Sequence, residues 1–170
     1  MKLTKIAFLD RDGVLNYSKK KNGYIGKIKD FKWIKGSKKA IKYLKKKKFK
    51  IVIVTNQSGI ARGYFSIKDV YKIHRHLKSE LKKFGTNVDK IFFCPFHING
   101  IIKKFKKNSK LRKPEIGMFL KANKIWKVDK KKSFMIGDQK TDMLFAKRAG
   151  IKGYLFNQTD LYKFVKKIII

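Results

Sequence analysis

Five short apolar runs recur along the chain, mostly separated by longer stretches with helical spacing, and this alternation constrains the fold more than any other feature. KIAFLD (5–10), KIVIVTN (50–56), KIFFCP (90–95), SFMIGD (133–138) and GYLF (153–156) are continuous and β-branched or aromatic, as strands buried on both faces are. SKKAIKYLKKKKF (37–49), SIKDVYKIHRHLKSELKKF (66–84), IGMFLKANKIW (116–126) and TDMLFAKRAG (141–150) read as helices. Ser66 with Asp69 three residues on forms a start signal, and Gly85 and Gly150 sit where C-caps belong. Strand alternating with helix predicts an α/β fold, a parallel sheet with helices on both faces. There is no Pro-, Gly- or Ser-rich linker and no internal repeat, so residues 1–170 are expected to form a single domain.

In such a sheet ligands bind beyond the carboxyl ends of the strands, and that is where the acidic residues of this chain fall. The first strand ends in FLDRDG, with Asp10 and Asp12 at its tip and Gly13 allowing a sharp turn. The second ends in TNQSG, where Thr55 and Ser58 offer hydroxyls and the turn offers amides. The fourth ends in GDQKTD, with Asp138 and then Asp142, and Lys113 precedes the helix near residue 115. Helix capping would explain any one of these aspartates, but not three at strand tips, with a lysine, in a chain holding only 11 acidic residues. Crowded carboxylates repel unless a cation joins them, and a few hard oxygens suit Mg2+ that keeps some of its water. Hydroxyls, amides and Lys113 can hold a dianion beside it, which makes a phosphoryl-transfer site. No GxxxxGK[ST] loop occurs, so an NTP-driven machine is not expected.

The net charge of +35 attracts polyanions. It is spread end to end and mostly lysine, with no arginine–aromatic platform, so non-specific sticking to nucleic acid is expected without a specific nucleic-acid site. No run approaches the roughly 18 apolar residues of a membrane span. The N-terminal apolar run is too short for a signal peptide, and one cysteine allows no internal disulfide; both fit a cytoplasmic protein.

DRDGVLN, TNQSGIARG, RKPEIGM and GDQKTDM, in that order and at strand ends, resemble the haloacid dehalogenase-type (HAD) phosphatases. More narrowly they resemble the D-glycero-D-manno-heptose 1,7-bisphosphate 7-phosphatase and histidinol-phosphatase group, over residues from about 5 to 150. The resemblance implies a Rossmann-like HAD core, and the spacing leaves no room for a large cap domain. It implies Asp10 as nucleophile, forming an aspartyl-phosphate, and Asp12 as the acid and base. Mg2+ would be held by the Asp10 carboxylate, the Asp12 carbonyl and Asp138. Thr55 and Lys113 would bind the transferring phosphoryl oxygens, Asn56, Gln57 and Ser58 would complete the cradle, and Arg112 would reach a second anionic or hydroxyl group. Asn22, Gly23 and Tyr24 fall where the group has its first substrate loop, here preceded by Lys19 to Lys21.

The group's zinc loop, patterned CxH…CxC, is altered in this chain. Cys94 matches the first ligand, but Phe96, Ser109 and Leu111 stand where the other three belong. Cys94 and His97 supply at most two of the four ligands of a closed site, so no structural zinc is expected. Packing of Phe96, Phe105 and Leu111 is expected to hold the loop instead. His74 and His76, two apart on a helix, face different ways and are expected at the surface or in a groove. Gln139 stands where the group often has lysine, Asp142 is expected to support the Asp138 loop or cap a helix, and Trp33 and Trp126 are expected to pack. The reading is a monomeric Mg2+-dependent phosphomonoesterase acting on a small phosphorylated sugar, a heptose bisphosphate. The alternatives are histidinol-phosphate hydrolysis, a nucleic-acid-end phosphatase, and a basic nucleic-acid-binding protein on a HAD scaffold.

Overall fold

The computed structural model describes residues 2–18 and 23–169. Asn22 and Lys19 to Lys21 of the expected substrate loop lie outside the described residues. Five strands, β1 (Ile6–Leu9), β2 (Lys50–Asn56), β3 (Lys90–Cys94), β4 (Phe134–Gly137) and β5 (Lys152–Leu155), form one sheet in the order β3-β2-β1-β4-β5. Every neighbouring pair is parallel. The α-helices are α1 (Ser37–Lys46), α2 (Ile67–Lys83), α3 (Gly117–Trp126), α4 (Lys140–Ala149) and α5 (Leu161–Ile168). The expected α/β class is therefore present: β2 has the expected bounds, β1, β3 and β4 are one residue shorter at one or both ends, and β5 is shifted by one residue toward the N-terminus.

The pleat sends alternate residues of β1 to opposite faces. Ala7 and Leu9 join a core with Ile51, Ile53 and buried residues of α1, α2 and α5, while Ile6 and Phe8 join Val52, Val54 and residues of α3 and α4. All four side chains of β1 are fully buried, which is why the strand carries no polar position before its tip. At the start of α2, Ser66 accepts from the Asp69 amide while the Asp69 carboxylate accepts from the Ser66 amide, the reciprocal cap that the sequence suggests. Helix α5 is an addition to the sequence reading: Asp160 caps it, accepting from the Lys163 amide, and Leu161, Phe164 and Val165 bury its inner face.

Strand order reverses between β1 and β4, because the chain runs outward through β2 and β3 before crossing back. A crevice opens at such a switch point, and its two lips here are the residues that follow β1 and β4, Asp10 and Asp138.

Candidate active site

Three carboxylates meet at this crevice: one oxygen each from Asp10, Asp138 and Asp142 lies within 4.8 Å of the others. Lys113, 2% exposed, reaches in from the loop before α3, its Nζ 3.1 Å from Asp10 Oδ1 and 2.6 Å from Asp142 Oδ1. Burial opposes the Lys113 charge, but Asp10 and Asp142 outweigh it and hold its pKa above the ordinary lysine value. Burial pushes Asp10 up to about 8; Lys113 opposes the rise, and Asp142, Asp12 and Asp138 add to it. Asp138 is also raised, by burial first and then by Asp142.

The donor set fits a hard divalent cation. Asp142 has both oxygens engaged, Oδ1 with Lys113 and Oδ2 accepting from the Gln139 amide, so it acts as a brace and as the N3 half of a cap on α4. Asp138 Oδ1, by contrast, is buried without a hydrogen-bond partner among the described residues. One lysine does not balance three clustered carboxylates, and a dication beside Asp10 and Asp138 would. Gly13, at φ 86°, is part of the same geometry: a Cβ there would overlap the Asp138 carboxylate.

Of the remaining expected residues, Asn56 bonds to Lys113, Gln57 links Asp12 to Thr55, and Ser58 and Arg112 both lie beside Tyr24. Asn56 is directed at the backbone of Lys113, its Nδ2 donating to the carbonyl at 3.1 Å and its Oδ1 accepting from the amide at 3.0 Å. Gln57 is 1% exposed, and its Nε2 donates to Asp12 Oδ2 at 2.9 Å and to Thr55 Oγ1 at 2.8 Å. Thr55 Oγ1 accepts that bond, which leaves its hydroxyl proton for another acceptor. Ser58 Oγ lies 3.1 Å from the Tyr24 hydroxyl. Arg112, half-buried, has Cys94, Tyr24 and Arg62 around it. Arg62 Nε and Arg112 Nη1 are both buried with no partner among the described residues.

Besides Asn16, which donates to Asp12, and Arg62, which lies beside Arg112, two buried residues of the site are not foreseen from the sequence. Arg11, between the two aspartates, is fully buried and forks onto Asp12, with Nε to Oδ1 and Nη2 to Oδ2 each at 3.1 Å. His74 is corrected from a surface or groove position: it is 6% exposed, with Nε2 3.2 Å from Arg11 Nη1. It lies with Val70, Ile73, Leu77 and Leu81 on the buried face of α2, and that spacing is the signal in the sequence that could place it there. His76, on a different side, packs its ring at 5.8 Å on Phe31.

Burial, and next the Arg11 charge, push His74 down to about 3 from its ordinary 6.5. Between those values the unfolded chain binds a proton that the folded one does not. This contribution to stability is therefore complete above pH 6.5 and is lost as the pH falls toward 3. The free energy of urea unfolding should fall across this window with a His74 share of up to about 1.4 kcal/mol per pH unit. His74→Gln should flatten the slope by that share; an unchanged slope would show that the imidazole is not held neutral.

The loop between Cys94 and Arg112 is held by packing and backbone bonds. Phe96 and Phe105 pack with tilted rings 6.1 Å apart, Lys107 Nζ lies 4.2 Å over the Phe96 ring, and Leu111 packs on the core beside α3. The Ile101 and Ile102 amides both donate to the Ala61 carbonyl, which ties the loop to the turn after β2. His97 is turned toward Arg62, its Nε2 3.3 Å from Nη2, while its Nδ1 accepts from the Asn99 amide. Trp33 packs edge-on to Phe31 at 5.2 Å, and Trp126 lies against the core beside α3 and α4, as expected of packing residues.

A family model described as polynucleotide kinase 3 phosphatase matches residues 5–168. The chain belongs to this family of HAD phosphatases. This phosphatase is 42% identical over 164 residues to the D-glycero-beta-D-manno-heptose-1,7-bisphosphate 7-phosphatase of Rhodopseudomonas palustris, covering 96% of this chain and 89% of that protein. It is 39% identical over 147 residues to the D-glycero-alpha-D-manno-heptose-1,7-bisphosphate 7-phosphatase of Photorhabdus laumondii, covering 86% and 79%. Among solved structures, the D,D-heptose 1,7-bisphosphate phosphatase of B. bronchiseptica, complexed with magnesium and phosphate, superposes with a TM-score of 0.81 at 30% identity, covering 97% of this chain and 87% of that one. No described helix of the phosphatase is long and apolar enough to cross a membrane.

Proposed function

We propose that this phosphatase removes the 7-phosphate of D-glycero-D-manno-heptose 1,7-bisphosphate, with Mg2+ and through an aspartyl-phosphate on Asp10. The observation that carries the chemistry is the meeting of Asp10, Asp138 and Lys113 at the switch point of the sheet. Asp10 Oδ1 accepts from the Arg11 amide and pairs with Lys113, while its other oxygen has no partner among the described residues and is available for attack. That oxygen bonds to phosphorus as the bond to the sugar oxygen breaks. Asp12, as the acid, gives its proton to the departing sugar oxygen. As the carboxylate it then takes a proton from the water that attacks phosphorus, releasing phosphate and restoring Asp10. Thr55 and Lys113 bind the phosphoryl oxygens, with Asn56 setting the Lys113 backbone and Gln57 bracing Asp12 and Thr55. Ser58 and its neighbouring amides complete the cradle. The Mg2+, held by the Asp10 and Asp138 carboxylates and the Asp12 carbonyl, would neutralise phosphoryl charge.

The substrate assignment draws support from the activity of the relatives and from Arg62 and Arg112. Each of these two guanidinium groups has a buried N–H donor with no partner among the described residues, which suits an anionic group of the substrate. Since His97 Nδ1 accepts a hydrogen bond, its proton belongs on Nε2, facing the Arg62 donor, an arrangement that an anionic oxygen would satisfy. A second phosphate fits this better than the cationic amine of histidinol phosphate. Arg112→Ala should therefore raise KM for the heptose bisphosphate about 10-fold or more while changing KM for a simple monophosphate less than about 3-fold. Equal effects on both would remove the second-anion role.

On this proposal the enzyme is a monomeric, single-domain, cytoplasmic protein without structural zinc. Burial raises the Cys94 thiol pKa, which opposes the thiolate that zinc requires. Elemental analysis should find less than about 0.1 zinc per chain; one tightly held zinc would overturn this part. The second reading, hydrolysis at a phosphorylated nucleic-acid end, is favoured by the family description and the charge of +35. Phosphate release from heptose 1,7-bisphosphate, histidinol phosphate and a 3′-phosphorylated oligonucleotide, side by side, separates the three. Preference for the oligonucleotide at 0.15 M salt would replace the heptose reading.

A further inference from the structure

Arg11 is a charged side chain with no exposure at all, and its hydrogen bonds divide into two edges. The Nε–Nη2 edge forks onto Asp12, and Nη2 also donates to Gln57 Oε1 at 3.2 Å and to the Ile25 carbonyl at 3.4 Å. The Nη1 edge faces the imidazole of His74. Among the described residues, three side chains hold Asp12: Arg11, Gln57 and Asn16, whose Nδ2 donates to Asp12 Oδ1 at 2.8 Å. Arg11 therefore controls two of the three, one directly and one through Gln57. Its own setting depends on whether the Nη1 edge is satisfied, because a buried guanidinium donor left without an acceptor turns toward another one.

We propose that His74 is a positioning residue, a neutral acceptor that fixes the Arg11 guanidinium and, through it, the Asp12 carboxylate. Arginine only donates, so Nε2 must carry the lone pair and the ring proton sits on Nδ1. The imidazole is locked in this orientation, since it lies on the buried face of α2 and its plane meets Phe93 at 5.6 Å and 68°. The depressed basicity of His74, from burial and from Arg11, keeps the acceptor available across the physiological range. The inference rests on the acid role of Asp12 given above.

That role supplies a readout which mere structural support would not move. A sugar oxygen leaves poorly without a proton, whereas p-nitrophenolate leaves well without one, and kcat/KM reports the steps through phosphoryl transfer to Asp10. His74→Phe, which keeps an apolar ring but has no acceptor, should lower kcat/KM for the heptose bisphosphate by roughly 10- to 100-fold and for p-nitrophenyl phosphate by less than about 3-fold. His74→Gln, with an acceptor at similar reach, should stay within about 3-fold of wild type on both. In 15N–1H spectra the Arg11 Nη protons should be separate in wild type and His74→Gln, and merged by free rotation in His74→Phe. Should His74→Phe fail to fold, His74→Asn, whose amide falls short of Arg11, takes its place. An equal loss on both esters, no loss on either, or unchanged Arg11 signals without an acceptor would overturn the proposal. A wild type that spares the heptose bisphosphate sinks the substrate assignment alone, and the Arg11 spectra still decide the role of His74.

Discussion

Asp10→Asn should leave less than about one part in 10,000 of the wild-type turnover, because in the proposed mechanism Asp10 is the nucleophile and its loss removes the covalent route. The same substitution should not unfold the protein. Lys113 keeps its 2.6 Å partner Asp142, and the folded state penalises rather than favours the Asp10 charge, as its rise to about 8 indicates. An acid with a raised folded pKa binds more protons folded than unfolded, so its neutral form contributes stability below pH 3.8 that is lost as the pH climbs through about 8. With EDTA present, Asp10→Asn should therefore match wild type in melting temperature near pH 4 and exceed it at pH 8. Near-normal phosphate release from this variant would show that Asp10 is not the nucleophile. A melting temperature well below wild type at pH 8 would show that its charge is structural.

Lys113→Ala should damage stability and chemistry together. The ammonium lies between Asp10 and Asp142 with 2% exposure, so its removal leaves two buried carboxylates facing each other. Breaking a buried pair in this way costs about 3–5 kcal/mol, visible as a lower urea midpoint. On the proposed role of Lys113 at the phosphoryl oxygens, its loss should lower kcat/KM at least about 1,000-fold in the molecules that remain folded. Lys113→Arg should rescue neither quantity, since a planar fork does not fit a closed site shaped for a point charge. Wild-type stability in Lys113→Ala would mean that the three-residue cluster is not the buried ion pair described above.

How much of this the sequence discloses depends on how local the cause is. Asp10, Asp12 and Asp138 are legible because strand runs that tolerate no polar residue end abruptly on them. The sheet is legible for the same reason, since four consecutive buried side chains in β1 leave only one kind of partner layer. What is not legible is direction. TNQS marks a site, yet Asn56 turns to the Lys113 backbone and Gln57 to Asp12 because those partners are brought there by the crossing of distant elements. Arg11 and His74 fail for a related reason: a charge beside two aspartates and a histidine in a lysine-rich helix both look solvated until the fold buries them against each other. Helix α5 is hidden by its shortness, with three inward apolar residues in eight. The Cys94 loop shows the reverse case, where missing ligands are plain in the sequence and the replacement scaffold of Phe96, Phe105 and the Ala61 carbonyl is only partly so.

Phosphorus NMR of the heptose 1,7-bisphosphate incubated with the enzyme and Mg2+ follows the two sugar phosphates separately. The 7-phosphate signal should be replaced by inorganic phosphate while the 1-phosphate signal persists, and both sugar phosphates should persist with EDTA or with Asp10→Asn. Persistence of both sugar phosphates with active wild-type enzyme, or loss of the 1-phosphate first, would show that the 7-phosphate of this sugar is not what the enzyme removes.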